Sequence, residues 1–337
     1  PNKVLLALRG SGQGLYVGIA EDRFIVASEP YGVVEETLSY VRMDGEALSD
    51  ANNPSSRGQV IMLDGDIAGT VNGMSMLAYD GTDLGLNESH VAIAEVTTRD
   101  IDRGEHKHFL AKEIGEAPAS FRKTLRGKIG ERDGNLFASL DTSVVPQRVI
   151  DALAAGKIAR IRVIGQGTAA IAGRSLVQLL RTLVDHRVQV DALPATELSG
   201  FQLQLDMSDT LVIAISQSGT TTDTNRTVDL ARSRGASVLA IVNRRGSELA
   251  AKADGVLYTS DGRDVEMSVA STKAFYSQVS AGALLACALS SALGSGTDAA
   301  RHQLLTALRT VPDAMNRVLE MRPQIAQAAR QFAPARR

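Results

Sequence analysis

The chain has 337 residues, 44% of them hydrophobic, and a formal net charge of −2. That length predicts two domains with ordinary packed cores, and the near-neutral charge excludes a general affinity for nucleic acid or for an anionic membrane surface. A single cysteine, Cys287, excludes an internal disulfide framework and a four-cysteine metal site.

No signal peptide is visible, and no uncharged apolar run of about 18 residues stands free as a membrane span. A soluble protein of a reducing compartment, the cytoplasm, is expected. Pro1 opens directly into the strand-like run Lys3-Val4-Leu5-Leu6-Ala7-Leu8, and Ala335-Arg336-Arg337 closes nothing recognisable, so a piece of a longer chain is expected.

Residues 1–104 read as β. Short apolar runs at 4–8, 15–19, 24–27, 38–43, 59–63, 67–71 and 74–79 alternate with Gly, Asp, Asn and Pro punctuation. Asp64 and Asp66 flank Gly65 as a turn would, rather than as a metal pair. Between 105 and 130 the period becomes helical, with Phe109, Leu110, Ile114, Phe121, Leu125 and Ile129 recurring and a break expected at Pro118. His106 and His108 are two apart, which sends them to different sides of a helix and argues against a metal site. Residues 105–145 are accordingly read as a helical linker.

From about residue 146 strands and helices alternate. Strands are expected at 160–164, 187–191, 211–215, 237–242 and 255–258, with helices at about 170–184, 196–203, 222–234 and 247–253. This is the pattern of an α/β, doubly wound, five-stranded parallel sheet, which binds ligands at the carboxyl ends of its strands. A long helix follows at 271–293. A last helical segment at 298–332 carries Leu304, Leu305, Leu308, Val311, Met315 and Val318, and its end, 322–337, reads as a tail.

Three polar turns stand at helix starts. Ser216-Gln217-Ser218-Gly219-Thr220-Thr221 follows the apolar run 211–215, and five of its six residues carry a hydroxyl or amide. A strand-to-helix turn offers free backbone N–H groups and the positive end of a helix dipole, so this density of neutral donors reads as a phosphate cradle; simple helix capping is the bland alternative. Val269-Ala270-Ser271-Thr272-Lys273 opens the long helix in the same way, with capping again the alternative and Lys273 either facing an anion or ion-paired. Gly165-Gln166-Gly167-Thr168-Ala169-Ala170 fits a dinucleotide fingerprint with Ala in the third glycine's place, and Asp191 stands where a ribose-binding acid would. The absence of a Gly-Lys-Ser/Thr loop disfavours nucleotide hydrolysis. A serine nucleophile at Ser216 or Ser218 would need His186 or His302 brought to it in space.

The stretches 108–118 (HFLAKEIGEAP), 216–221 (SQSGTT) and 269–275 (VASTKAF), in that order, resemble the first sugar-isomerase (SIS) domain of the glutamine–fructose-6-phosphate amidotransferase family. Residues 15–45, as in 18–28 (GIAEDRFIVAS), look similar to the carboxyl-terminal part of that family's Ntn-type glutaminase domain. The resemblance implies a flavodoxin-like SIS domain over 146–321. In it Ser216, Gln217, Ser218 and Thr221 would hold the phosphate of fructose 6-phosphate or glucosamine 6-phosphate, Ser271 and the Val269 backbone would reach the sugar, and Gly167, Thr168 and Lys273 would complete the site. It also implies glutamine as a substrate of the complete enzyme, a homo-oligomer, amino sugar biosynthesis, and no metal or cofactor. The family's Cys-Gly-Thr-Ser turn reads here Gln166-Gly167-Thr168-Ala169, one hydroxyl short. The family's amino-terminal cysteine nucleophile and its second sugar-isomerase domain, with base, histidine and lysine, have no counterpart in these residues, so their catalytic roles are expected to be missing. A non-catalytic phosphosugar-binding module and, less well, a nicotinamide dehydrogenase are the alternatives.

Overall fold

The computed structural model describes residues 2–10, 14–94, 101–184 and 188–335. The chain divides into two compact units, Pro1–Gly104 with Thr220–Thr222, and Glu105–Gly219 with Asp223–Arg337.

The first unit is mostly β. Its strands are β1 (Lys3–Leu8), β2 (Leu15–Ile19), β3 (Phe24–Ala27), β4 (Ser39–Met43), β5 (Gln59–Asp64), β6 (Met74–Ala78) and β7 (Val91–Ile93). They form antiparallel sheets of order β1-β5-β6 and β3-β2-β4-β7. Period-2 alternation explains the core: Ile61 and Leu63 on β5, Val41 and Met43 on β4, and Met74 and Met76 on β6 face inward together. The run 67–71, expected as a strand, lies instead between two 3-10 turns, at Gly65–Ile67 and Val71–Gly73. The reason is local: the Asp64 side chain accepts the Asp66 amide at 3.1 Å and bends the chain at once. The three-residue β7 is too short to show alternation in the sequence.

The second unit begins with α1 (Phe109–Leu125), the hairpin β8 (Ile129–Arg132) and β9 (Asn135–Ala138), and α2 (Gln147–Ala154). Pro118 does not break α1. It lies buried on the same face as Ala117, Phe121 and Leu125, and packing of that face outweighs the one lost ladder bond. The hairpin was hidden behind the helical spacing of Ile129, although its Asp133-Gly134 turn, with φ of 51° and 75°, is a strong hairpin signal.

Then come β10 (Arg160–Gly165), α3 (Thr168–Leu183), β11 (Gln189–Pro194), α4 (Ala195–Glu197) running into a π-turn at Leu198–Gln202, β12 (Thr210–Ser216), α5 (Thr222–Ser233), β13 (Ser237–Val242), α6 (Glu248–Lys252), β14 (Gly255–Tyr258), α7 (Lys273–Ala292), α8 (Asp298–Glu320) and α9 (Arg322–Phe332). The expected helix at 298–332 is thus two, parted at Met321 because Pro323 starts a new helix.

The sheet order is β11-β10-β12-β13-β14, all parallel. Every residue of β12 is buried. Leu211, Ile213 and Ile215 face a core shared with α1, α3, α7 and α8, while Val212 and Ala214 face a second core with Val228, Ala231 and Leu249. Burial on both faces is why the strand reads as an unbroken apolar run. The chain steps outward from β10 to β11, then crosses back past β10 to β12. The crevice between β10 and β12 is therefore the topological switch point, where such sheets bind ligands.

Candidate functional site

Two turns leave the carboxyl ends of the strands that flank this crevice. Ser216 ends β12 and is buried; its Oγ accepts the Gly219 amide at 3.0 Å and closes the turn on itself. The carbonyls of the turn are tied down on the other side. Gln217 O accepts from the amides of Asn243 (3.1 Å) and Arg244 (3.3 Å), and Gly219 O accepts from Leu249 N and from Asn225 Nδ2, both at 3.0 Å. Ser216 thus shapes the turn, while Gln217, Ser218 and Thr221 stay partly open to solvent. Gly219 is required where it stands. Its φ is +67°, and a Cβ there would lie 2.2 Å from Ser247 Oγ.

The turn between β10 and α3 is the other wall. Gly167 caps α3 with φ 57° and ψ −128°, and Gly167 and Thr168 are exposed. Ala169, in the place of the missing hydroxyl, is buried against the core. Gln166 Nε2 donates to Asp223 Oδ2 at 3.2 Å, joining this turn to the first turn of α5.

Asp191 does not stand where a ribose-binding acid would. The strand expected to end there runs on to Pro194, so Asp191 sits opposite Arg162 in mid-strand. Its carboxylate is ion-paired to Arg162 and, at 3.1 Å, to Arg181. A carboxylate committed to two guanidinium groups does not serve a ribose, and the dinucleotide reading loses its second element. His302 Nδ1 accepts the Leu136 amide at 3.0 Å and is held at β9; His186 lies outside the described residues.

The third turn opens α7. Gly282 of α7 packs on Leu176 of α3, and Gly296, beyond α7, lies against the Leu183 carbonyl. The two helices therefore run in the same direction, and the start of α7 lies at the same end of the sheet as Gly167 and Thr168. Val269 is fully exposed and Ser271 partly so. Lys273 is buried and donates to Glu116 Oε2 at 2.6 Å, so its charge is spent on α1. Ser271 Oγ donates to Glu266 Oε2 at 2.8 Å, and Glu266 Oε1 accepts the amides of Thr272 (2.7 Å) and Ala274 (3.3 Å).

The same loop is fastened from α1. Buried Glu113 accepts from the amides of Met267 (2.6 Å) and Ser268 (3.2 Å) and from the Ser268 hydroxyl. Asp264 Oδ2 accepts from Ser120 (2.5 Å) and Ser260 (2.6 Å). Each hydroxyl has one proton, so Ser277 donates to Ser120 at 2.7 Å. These acids were not singled out in the sequence. Little local marks them, since the contacts that join α1 to the loop are made between residues brought together by folding.

Comparison with known proteins fits this geometry. Residues 156–288 match the SIS domain family. A glutamine–fructose-6-phosphate aminotransferase (isomerising) of Corynebacterium diphtheriae is 31% identical over 322 residues, 95% of this chain and 45% of that protein. Its counterpart from Thermus thermophilus is 32% identical over 284 residues, 84% of this chain and 44% of that protein. The C-terminal domain of glucosamine-fructose-6-phosphate aminotransferase from Francisella tularensis superposes with a TM-score of 0.60 at 25% identity, over 68% of this chain and 61% of that one. The chain carries a SIS domain and is homologous to the glutamine–fructose-6-phosphate aminotransferases. It spans about half the length of the curated relatives it matches. The turns that begin at Gly165 and Ser216 leave the two strands flanking the switch point of this SIS domain. Among the described residues no helix is long and apolar enough to cross a membrane.

Proposed function

We propose that the chain is the sugar-phosphate-binding part of a glucosamine-6-phosphate synthase-type enzyme, which adds ammonia from glutamine to a ketose phosphate and isomerises the product. One observation carries the reading: a hydroxyl-rich turn at the carboxyl end of the central strand, beside the switch point, in a chain homologous to the aminotransferases along nearly its whole length. Phosphate monoester oxygens accept hydrogen bonds strongly, and Gln217, Ser218, Thr221 and the first amides of α5 are donors without charge, suited to holding and releasing a dianion. Ser216 fixes the turn, Gly167 and Thr168 form the facing wall, and Ser271 and the Val269 backbone meet the sugar. Lys273, paired with Glu116, supports the site from beneath rather than touching phosphate. Glutamine is the second substrate of the complete enzyme, which we place in the cytoplasm as a homo-oligomer engaged in amino sugar synthesis.

The test is a thermal-shift and titration series. Fructose 6-phosphate and glucosamine 6-phosphate raise the melting temperature and NADH does not. The double variant Ser218→Ala, Thr221→Ala binds the sugar phosphates about 2–4 kcal/mol more weakly, the scale of lost anion-directed hydrogen bonds. Unchanged affinity in that variant, or stabilisation by NADH alone, overturns the reading.

A further inference from the structure

The amino end of α7 is a place where a 20-residue helix would attract an anion, and in this protein it already holds one. The Glu266 carboxylate takes the amides of Thr272 and Ala274 and the hydroxyl of Ser271. Its partners are all neutral. Among the described residues no lysine or arginine forms an ion pair with it, and Lys273, nearest in sequence, is bound to Glu116 instead. The helix end is thus filled, and a negative charge with no side-chain counter-ion remains at its lip. This lip is accessible, since Val269 and Ala270 beside it are exposed. It lies at the same end of the sheet as the turn after β12.

We propose that Glu266 is a specificity-determining residue that gives the site a charge polarity. The inference rests on the phosphosugar reading above. Glu266 bars a phosphate from the amino end of α7, so a sugar phosphate enters one way round, with its monoester on the turn 216–221. The head of the sugar then meets a carboxylate with acceptor capacity left over. That end favours hydroxyl or ammonium groups and rejects a second phosphate. The preferred class is a hexose 6-phosphate whose carbons 1 and 2 carry only hydroxyl, carbonyl or amino groups, and a 1,6-bisphosphate is excluded by like-charge repulsion. A bare helix end would do the opposite and recruit the second phosphate. Capping alone predicts no difference between the two ligands.

The chain and its Glu266→Gln variant are titrated calorimetrically with fructose 6-phosphate and fructose 1,6-bisphosphate. Gln keeps an acceptor for the Thr272 amide and removes the charge. The wild-type chain is expected to prefer the monophosphate at least tenfold, and the variant to lose most of that preference through tighter binding of the bisphosphate. Ser218→Ala serves as the control, weakening both ligands together. A preference unchanged in a folded Glu266→Gln variant overturns the inference and leaves the phosphosugar reading standing. Failure of the wild-type chain to bind either ligand overturns both. Should the variant not fold, the wild-type chain still decides. An electrostatic preference shrinks as salt is raised, and a salt-independent preference, or none, overturns the proposal.

Discussion

Two glycines of the crevice look alike in sequence, each in a strand-to-helix turn, and the structure separates them. Gly219 has φ +67°, and a Cβ would meet Ser247 Oγ at 2.2 Å, Ser247 Cβ at 2.6 Å and Val242 Cγ2 at 2.8 Å. Gly167 has φ +57° with nothing within 4 Å of a Cβ. Gly167→Ala therefore carries backbone strain alone, at a φ of 57° and ψ of −128° outside the left-handed helical well, for about 1–3 kcal/mol. Gly219→Ala adds overpacking against β13 and the Ser247 turn, for about 2–5 kcal/mol in all. Urea denaturation of the two variants measures the difference, and equal losses would mean that the turn after β12 is looser than the contacts of Gly219 imply. Ser216 teaches the same lesson. Its hydroxyl reads in sequence as a phosphate ligand, and in the structure its Oγ also accepts the Gly219 amide and so helps set the φ that demands glycine there.

At the scale of elements, the loop from β14 to α7 is held by α1 through three carboxylates, and Asp264 makes the arrangement pH-dependent. Burial by itself pushes the Asp264 carboxyl up. Hydrogen bonds from Ser120 and Ser260 and the charges of Lys123 and Lys273 outweigh it and hold the group below its ordinary 3.8. A folded-state pKa that is depressed stabilises the fold above the unfolded value, and that stability is lost as pH falls through the folded one. Wild-type stability should therefore drop more steeply than that of Asp264→Asn as pH is lowered through 3.8, while the variant is the less stable at neutral pH. Urea midpoints across that range check the sign, and parallel curves would show that Asp264 carries no linkage.

The elements of the crevice were legible in the sequence because their signals are local: unbroken apolar runs for β10 and β12, and hydroxyls before α5 and α7. The hairpin β8–β9 carried a local signal too, in Asp133-Gly134, masked by a competing helical period. Glu113 and Asp264 carried none, since the partners through which they tie the loop to α1 lie 154 and 144 residues away. The end of β11 was misread for a related reason. Pro194 looks like a stop, but as the last residue of an edge strand it gives up no bond that the sheet needs.

For the whole molecule, the decisive fact is that the cores are separate in sequence. Among the described residues, the core of the first unit draws on residues between Leu6 and Val91, and the two cores on either face of the parallel sheet draw on residues from Phe121 to Met315. Among the described residues no buried apolar cluster mixes the two sets, so each unit keeps its own main source of stability. Units with separate cores unfold as separate cooperative transitions, and a ligand acts on the transition of the unit that binds it. Calorimetric scanning of this chain should show two transitions. Fructose 6-phosphate at a hundredfold excess over its Kd, worth about 2.7 kcal/mol, should raise the one belonging to the SIS domain by about 5–10 °C and leave the other in place. The Ser218→Ala, Thr221→Ala variant should keep both transitions and lose the shift. A single transition would mean that the units are energetically coupled despite their separate cores. Two transitions rising together would mean that sugar binding is not confined to the parallel-sheet unit, and the crevice between β10 and β12 would not be the whole of the site.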